Sequence, residues 1–190
     1  MRATSILKGT FFKVCFFLII ICVSSCKKNN PIETTLKKNE TFAKNEKEET
    51  EAFFFIAAAN VSKTIISKSK IAQQKSSESS IVILSLKIET QQNRLLEDIN
   101  ELATKRLIII SEIDAAHRRD TYNLVNVNAF DFDTVYLNSM KEYLEDQIEL
   151  LESISKQTND KTILKLVLTY LPEQFDLLRE TELNLKKEIK

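Results

Sequence analysis

Asp114 and His117, three apart in the string DAAH, are the first place in this chain where chemistry could be done. On a helix that spacing puts a carboxylate and an imidazole on one face. Such a pair offers two ligands to a metal ion, or half of an acid–base system. His117 is the only histidine in 190 residues. A closed metal site needs about four ligands, and a two-metal site in a bundle needs two such motifs plus glutamates. Arg118 and Arg119 follow directly and would repel a cation, so a solvated or loop-docking role suits His117 better. Serines abound, but none has an imidazole placed to activate it. The adjacent acids Glu48 and Glu49, Glu97 and Asp98, and Glu145 and Asp146 have the pattern of solvated helix faces. The expectation is a protein that is not an enzyme, with no catalytic residue, no cofactor and no metal centre.

The composition limits what could position any such residues. Gly9 is the only glycine, and Pro31 and Pro172 are the only prolines. Hairpins, bulges and phosphate loops rely on glycine for positive φ. A β-sandwich and a nucleotide-binding α/β fold are therefore excluded, and long helices joined by Asn- and Ser-containing connections are favoured. Helix C-termini are expected to use Asn or Lys in place of glycine. The net charge is zero. Without residues 1–25, which carry Arg2, Lys8 and Lys13, 24 basic residues face 27 acidic ones, a net −3. No basic excess is left to recruit nucleic acid.

The N-terminus carries the most specific motif. Three positive charges and no acid precede Val14–Val23, an uncharged run that is too short for a bilayer span of about 20 residues. Its length suits a secretory h-region of roughly 7–15 residues. Val-Ser-Ser-Cys follows at 23–26 and resembles a bacterial lipobox. The resemblance implies a diacylglyceryl group on the Cys26 thiol, cleavage between Ser25 and Cys26, and acylation of the new amine. Cys22 is a poorer candidate, because bulky Ile21 precedes it. The competing reading is a plain secretory signal cut near Ser25 with Cys26 incidental. Cys15 and Cys22 would leave with the signal, so the mature chain would hold neither a free thiol nor a disulfide. Two lipid chains suffice for stable anchoring.

This divides the chain into a lipoprotein signal peptide at 1–25, a flexible tether at 26–46 and a helical domain at 47–190. Lys27–Glu46 is polar, mixed in charge and interrupted by Pro31, and cannot bury enough apolar surface to order itself. As a coil it would hold the domain roughly 25 Å from the bilayer. Residue 27 is Lys rather than Asp, which by resemblance to Gram-negative sorting rules favours the outer membrane, facing the periplasm.

The periodicity predicts four long helices. The first spans about Glu48–Gln74 with Phe55, Ala58, Ser62, Ile65, Ser69 and Ala72 inward. The second spans about Glu78–Thr104 with Ile81, Leu84, Ile88, Leu95, Ile99 and Leu102 inward, and its stripe is interrupted at Gln91 or Gln92. A brief helix at about Ser111–Val125 lies in the long connection that follows. The third long helix, from near Phe130 to near Lys156, turns Phe132, Tyr136, Met140, Tyr143, Gln147, Leu151 and Ile154 inward. The fourth, about Asp160–Lys187, has Asn159 as N-cap. Its inward residues are Ile163, Val167, Tyr170, Leu171, Phe175, Leu178 and Leu185, and Pro172 kinks it. Helices of roughly 25 residues are about 38 Å long. The expected fold is all-α, a ferritin-like four-helix bundle with a crossover connection that contains the short helix.

FFFIAAAN at 53–60, IA at 71–72, LLEDINELA at 95–103, FDTVYLNSM at 132–140 and YLPEQFDLL at 170–178 resemble a bacterial family of predicted outer-membrane or exported proteins. That family bears a domain-of-unknown-function label and a ferritin-like bundle, and the resemblance covers about residues 48–186. It implies Asp-His pairs in the second and third helices and a histidine after the Leu-Pro. This chain has Gln91 and Gln92, Tyr143 and Leu144, and Leu177 there. Neutral amides and apolar groups do not hold a transition metal. The expected function is therefore a lipid-anchored envelope protein with a non-catalytic structural or binding role. Its partners would be membrane lipid through acylated Cys26 and an unidentified protein, but not nucleic acid. The alternative is a ferritin-like metal-binding or redox protein that uses bundle carboxylates such as Glu51, Glu89 or Glu152.

Overall fold

The computed structural model describes the backbone of residues 31–110 and 115–188, and the side chains of residues 46–110 and 118–188. Among these there are five helices and no strand: α1 (Pro31–Lys75), α2 (Ser79–Lys105), α3 (Ala115–Val125), α4 (Phe132–Gln157) and α5 (Lys161–Glu188). The bundle lies in the compact unit that begins at Lys44. Ser25, Cys26 and Asp114 lie outside the described residues, as does the side chain of His117.

Contacts between side chains give the direction of each helix. Ser62 meets Gln147 and Lys68 meets Ser139, so α1 and α4 are antiparallel. Gln73 meets Glu89, near the end of α1 and within α2. Tyr170 meets Asp98, Gln174 meets Gln92 and Glu180 meets Lys87, so α2 and α5 are antiparallel. The helices α1 and α2 are joined by a three-residue connection, as are α4 and α5. It follows that α2 and α4 run the same way, and residues 106–131 must travel from one end of the bundle to the other. The short helix α3 lies on that path and packs on α4.

The six inward residues expected of α1 are all fully buried. On α2 the expected line holds through Ile99, after which Ala103 rather than Leu102 is buried. On α4 Leu144 is buried and Tyr143 lies at the margin. The line on α5 differs more. It runs Ile163, Val167, Tyr170, Gln174, Leu177 and Thr181, at alternating four- and three-residue spacing, with Leu166 beside it. Phe175 is exposed, and Leu171, Leu178 and Leu185 are only partly buried. The true line contains two polar residues, so following apolar side chains led off it. Pro172 lies inside α5, whose backbone is helical on both sides of it.

Helix boundaries correct three further expectations. The first helix begins at Pro31, well before Glu48. Proline is tolerated in the first turn, where its missing N–H would have had no partner, so Pro31 starts a helix where the sequence suggested an interruption. The cap of α5 is Asp160, not Asn159: its Oδ1 accepts the backbone N–H of Thr162 at 2.7 Å and of Ile163 at 3.3 Å. The C-terminus of α2 uses Leu107, not Asn or Lys, in the left-handed region at φ 58°. Ile108 N donates to Ala103 O at 2.9 Å and Leu107 N to Thr104 O at 3.0 Å, the paired bonds of a Schellman motif. The apolar contact that accompanies this motif is Ile108 against the core cluster containing Ala103. Leucine in that conformation costs roughly 1–2 kcal/mol.

Candidate functional site

The bundle interior consists of two apolar clusters. One contains Phe55, Ala58, Leu95, Ile99, Leu151, Ile154, Ile163 and Tyr170. The other contains Ile65, Ile88, Phe132, Tyr136, Met140, Leu144 and Leu177. Near the junction of the two, each long helix contributes a glutamine or serine that is fully buried: Ser62 from α1, Gln92 from α2, Gln147 from α4 and Gln174 from α5. They form two pairs. Gln92 Nε2 donates to Gln174 Oε1 at 2.6 Å, and Ser62 Oγ donates to Gln147 Oε1 at 3.4 Å. Gln92 is thus the inward member of the Gln91–Gln92 pair, and it occupies the gap in the α2 stripe. Groups of this kind can fix helix register and hold a small hydrogen-bonding guest, but they offer no charge.

A second polar cluster involves Lys68, which sequence reasoning missed. Its Nζ lies in the second apolar cluster's half of the bundle, donates to Ser139 Oγ of α4 and pairs with Asp120 of α3. It also sits 4.7 Å from the centre of the Tyr143 ring, and Tyr143 Oη donates to Asp120 Oδ2 at 2.8 Å. Burial pushes the Lys68 amine below its usual 10.5, while Asp120, by hydrogen bond and charge, and Glu142, by charge, oppose the shift. Lys68 lies on a heptad line with Val61, Ile65 and Ala72, and that placement was the available signal. One heptad further on, Lys75 Nζ donates to the carbonyls of Val125 at 2.7 Å and Val127 at 2.9 Å, just where α3 ends. It also lies 5.1 Å from the centre of the Phe132 ring. A cation at a helix C-terminus is stabilising. These two lysines of α1 therefore fasten the crossover to the bundle, one through a side chain and the other through carbonyls.

The third cluster closes the opposite end. Arg106 Nη2 donates to Asp160 Oδ2 at 2.6 Å and to Thr162 Oγ1 at 2.7 Å, and the guanidinium lies 5.3 Å from the centre of the Phe55 ring. Thr158 Oγ1 donates to Glu51 Oε1 at 2.6 Å. A pocket of about 620 Å³ opens beside this network, lined by Glu48, Glu49, Glu51, Ala52, Arg106 and Ile108. Hydrogen bonds from Thr162, Arg106 and Ile163 hold the Asp160 carboxyl far below its usual 3.8. Asp160→Ala should cost about 1–2 kcal/mol in urea unfolding at pH 7, the range for a lost N-cap. A carboxylate depressed on folding stabilises the native state above its unfolded value, and the effect is lost as pH falls below 3.8. The variant should therefore lose less stability than the parent on acidification from pH 5 to pH 2, roughly the span in which the carboxylate takes up its proton.

The carboxylates considered for a metal site are dispersed. Glu51 is engaged by Thr158 and by Lys47 at 3.8 Å, and Glu89 by Gln73 at 2.6 Å and Lys70 at 3.6 Å. Glu152 joins neither, and among the described residues no three His, Cys, Asp or Glu side chains converge. Asp98 accepts the Tyr170 hydroxyl at 2.6 Å, and burial together with that carboxylate pushes the phenol well above its usual range.

The architecture resembles a solved structure. The chain is similar to the crystal structure of a DUF305 fragment from Deinococcus radiodurans, with a TM-score of 0.65 over 73% of this chain and 96% of that one. At 13% identity the likeness concerns the fold alone. No curated protein matches the sequence. The family model described as domain of unknown function (DUF4142) matches residues 37–181, which takes in the amide layer, the Lys68 cluster and the Asp160 cap. The chain belongs to the DUF4142 family.

Proposed function

We propose that this protein is a lipid-anchored component of the bacterial cell envelope whose bundle has a structural or binding role and no catalytic one. The observation that carries the anchor is Val-Ser-Ser-Cys at 23–26, behind a short uncharged run and a basic start. Acylated Cys26 would hold the chain in the membrane, residues 26–46 would serve as tether, and the domain would be a bundle of the ferritin-like kind. Lys27 favours the outer membrane, with the domain in the periplasm. Support for a non-catalytic role comes from where the polar groups are used. The mid-bundle residues are neutral and hydrogen-bonded in pairs, Lys68 is committed to Asp120 and Ser139, and the Asp160 carboxylate caps a helix. Each of these polar groups holds helices together.

Mass spectrometry of the mature N-terminus tests the anchor. Protein from a bacterial host should begin at Cys26 and carry a diacylglyceryl group with a further acyl chain such as palmitate. Cys26→Ser should abolish labelling by a palmitate analogue and release the chain from the membrane fraction. A mature protein that begins elsewhere, or with Cys26 unmodified, would refute the proposal.

A further inference from the structure

The amide layer holds an excess of hydrogen-bonding capacity. Gln92, Gln147 and Gln174 are fully buried, and each keeps one polar atom without a partner: Gln92 Oε1, Gln147 Nε2 and Gln174 Nε2. Buried polar atoms are paired in the large majority of cases. Here three such atoms stand on three helices, with apolar side chains on both sides of them along each helix.

Their chemistry specifies the guest. The open atoms are two amide nitrogens and one carbonyl oxygen. A cation would face two donors, an anion would face a carbonyl, and a hydrocarbon would satisfy none of them. Water accepts two hydrogen bonds and donates two. It can accept from Gln147 Nε2 and Gln174 Nε2 and donate to Gln92 Oε1. Its last proton fits Ser62 Oγ, whose own proton goes to Gln147 Oε1. The water's four bonds can also be made if the Gln147 amide is turned over. Its N–H then donates to Ser62, Ser62 donates to the water, and the water donates to both open carbonyls.

We propose that Ser62, Gln92, Gln147 and Gln174 form a water-binding site at the middle of the bundle, where one internal water joins the α2–α5 pair to the α1–α4 pair. This site is independent of the Cys26 anchor. It gives the three open amide atoms one common partner, and a bridging water is held by two to four such groups. An internal water of this kind forms part of the packed core and is costly to remove.

Crystals of the full chain diffracting to about 1.2 Å test the site, because ordered water oxygens and hydrogen-bonding partners are well defined there. The expected result is one density peak at about 2.7–3.2 Å from all three open amide ends. A layer without density, with the amides bonded only to one another, would overturn the proposal. So would a peak of metal strength. In Gln92→Leu/Gln174→Leu two of the partners are gone and the peak should disappear. A peak that persists at full height on Ser62 and Gln147 alone would refute the four-residue site. If the double variant does not fold, the wild-type crystal still decides.

Discussion

Replacing Asp120 with alanine should destabilise the native chain by about 3 kcal/mol in urea unfolding at pH 7, near the lower end of the range for breaking a buried ion pair. The asymmetry of the pair sets the size. The Lys68 side chain is 1% exposed and that of Asp120 is 43% exposed. Truncating Asp120 leaves an ammonium in the interior, with the Ser139 hydroxyl and the Tyr143 ring as its neighbours. It also removes the acceptor of the Tyr143 hydroxyl. Truncating the other partner has a different outcome. Lys68→Met keeps the volume, removes the charge and lets Asp120 turn to water, so the change should stay within about 1 kcal/mol of the parent. Lys68→Met/Asp120→Ala should then be close to Lys68→Met alone. The departure from additivity measures the pair directly. An Asp120→Ala cost below about 0.5 kcal/mol, the range of ordinary surface substitutions, would show that α3 does not depend on this contact.

The same pair has a pH signature. Burial holds the Lys68 amine below its unfolded value of 10.5, against the opposing pull of Asp120 and Glu142. Between the folded and unfolded values the unfolded chain binds the extra proton, so this group's contribution to stability rises with pH across that window. Removing Asp120 lowers the folded value further and widens the window downward. The deficit of Asp120→Ala relative to the parent should therefore shrink as pH rises from the variant's folded value to the parent's, both of which lie below 10.5. A constant gap would place its origin in packing rather than in charge.

These residues show what the sequence makes legible. An apolar stripe identifies itself, because burial selects the same residue types at helical spacing. Phe55 through Ala72 on α1 and Ile81 through Ile99 on α2 follow that rule. Ser62 and Gln147 fell on inward lines, and Gln92 filled a visible gap. Three of the four members of the amide layer could thus be placed from one-dimensional pattern. Lys68 could not, although it lies on a heptad line. Charge ordinarily marks an exposed face, and what overrides that rule here is Asp120 on α3 and Ser139 on α4, distant in sequence. Helix ends were legible to within a few residues where an apolar run ended sharply. At the start of α1 the polar stretch from Pro31 onward gave no hydrophobic signal. The choice between Asn159 and Asp160 depended on which side chain met the Thr162 and Ile163 N–H groups, and both residue types make good caps.

Leu177→Ala should cost about 3 kcal/mol, and Phe175→Ala less than about 1 kcal/mol, although phenylalanine is the larger side chain. The difference follows from the register of α5. Leu177 is fully buried in the cluster of Ile88, Met140 and Leu144, and truncating it leaves a cavity in that close-packed half of the bundle. Phe175 is 45% exposed, so it removes less of its surface from water and opens no void when shortened. Position also matters. Pro172 cannot donate a backbone N–H to Leu168, so the helical ladder is weakened at the middle of α5. Beyond that point the helix is held by what its inner face touches: Gln174 against Gln92, Leu177 in the core, and Thr181, buried and bonded to the Leu177 carbonyl at 2.8 Å. Loss of Leu177 removes the one apolar member of that set. Urea titrations with matching m-values would read both costs. If Phe175→Ala proved the more damaging of the two, the line through Gln174, Leu177 and Thr181 could not be the inner face of α5, and the amide layer would lose its fourth member.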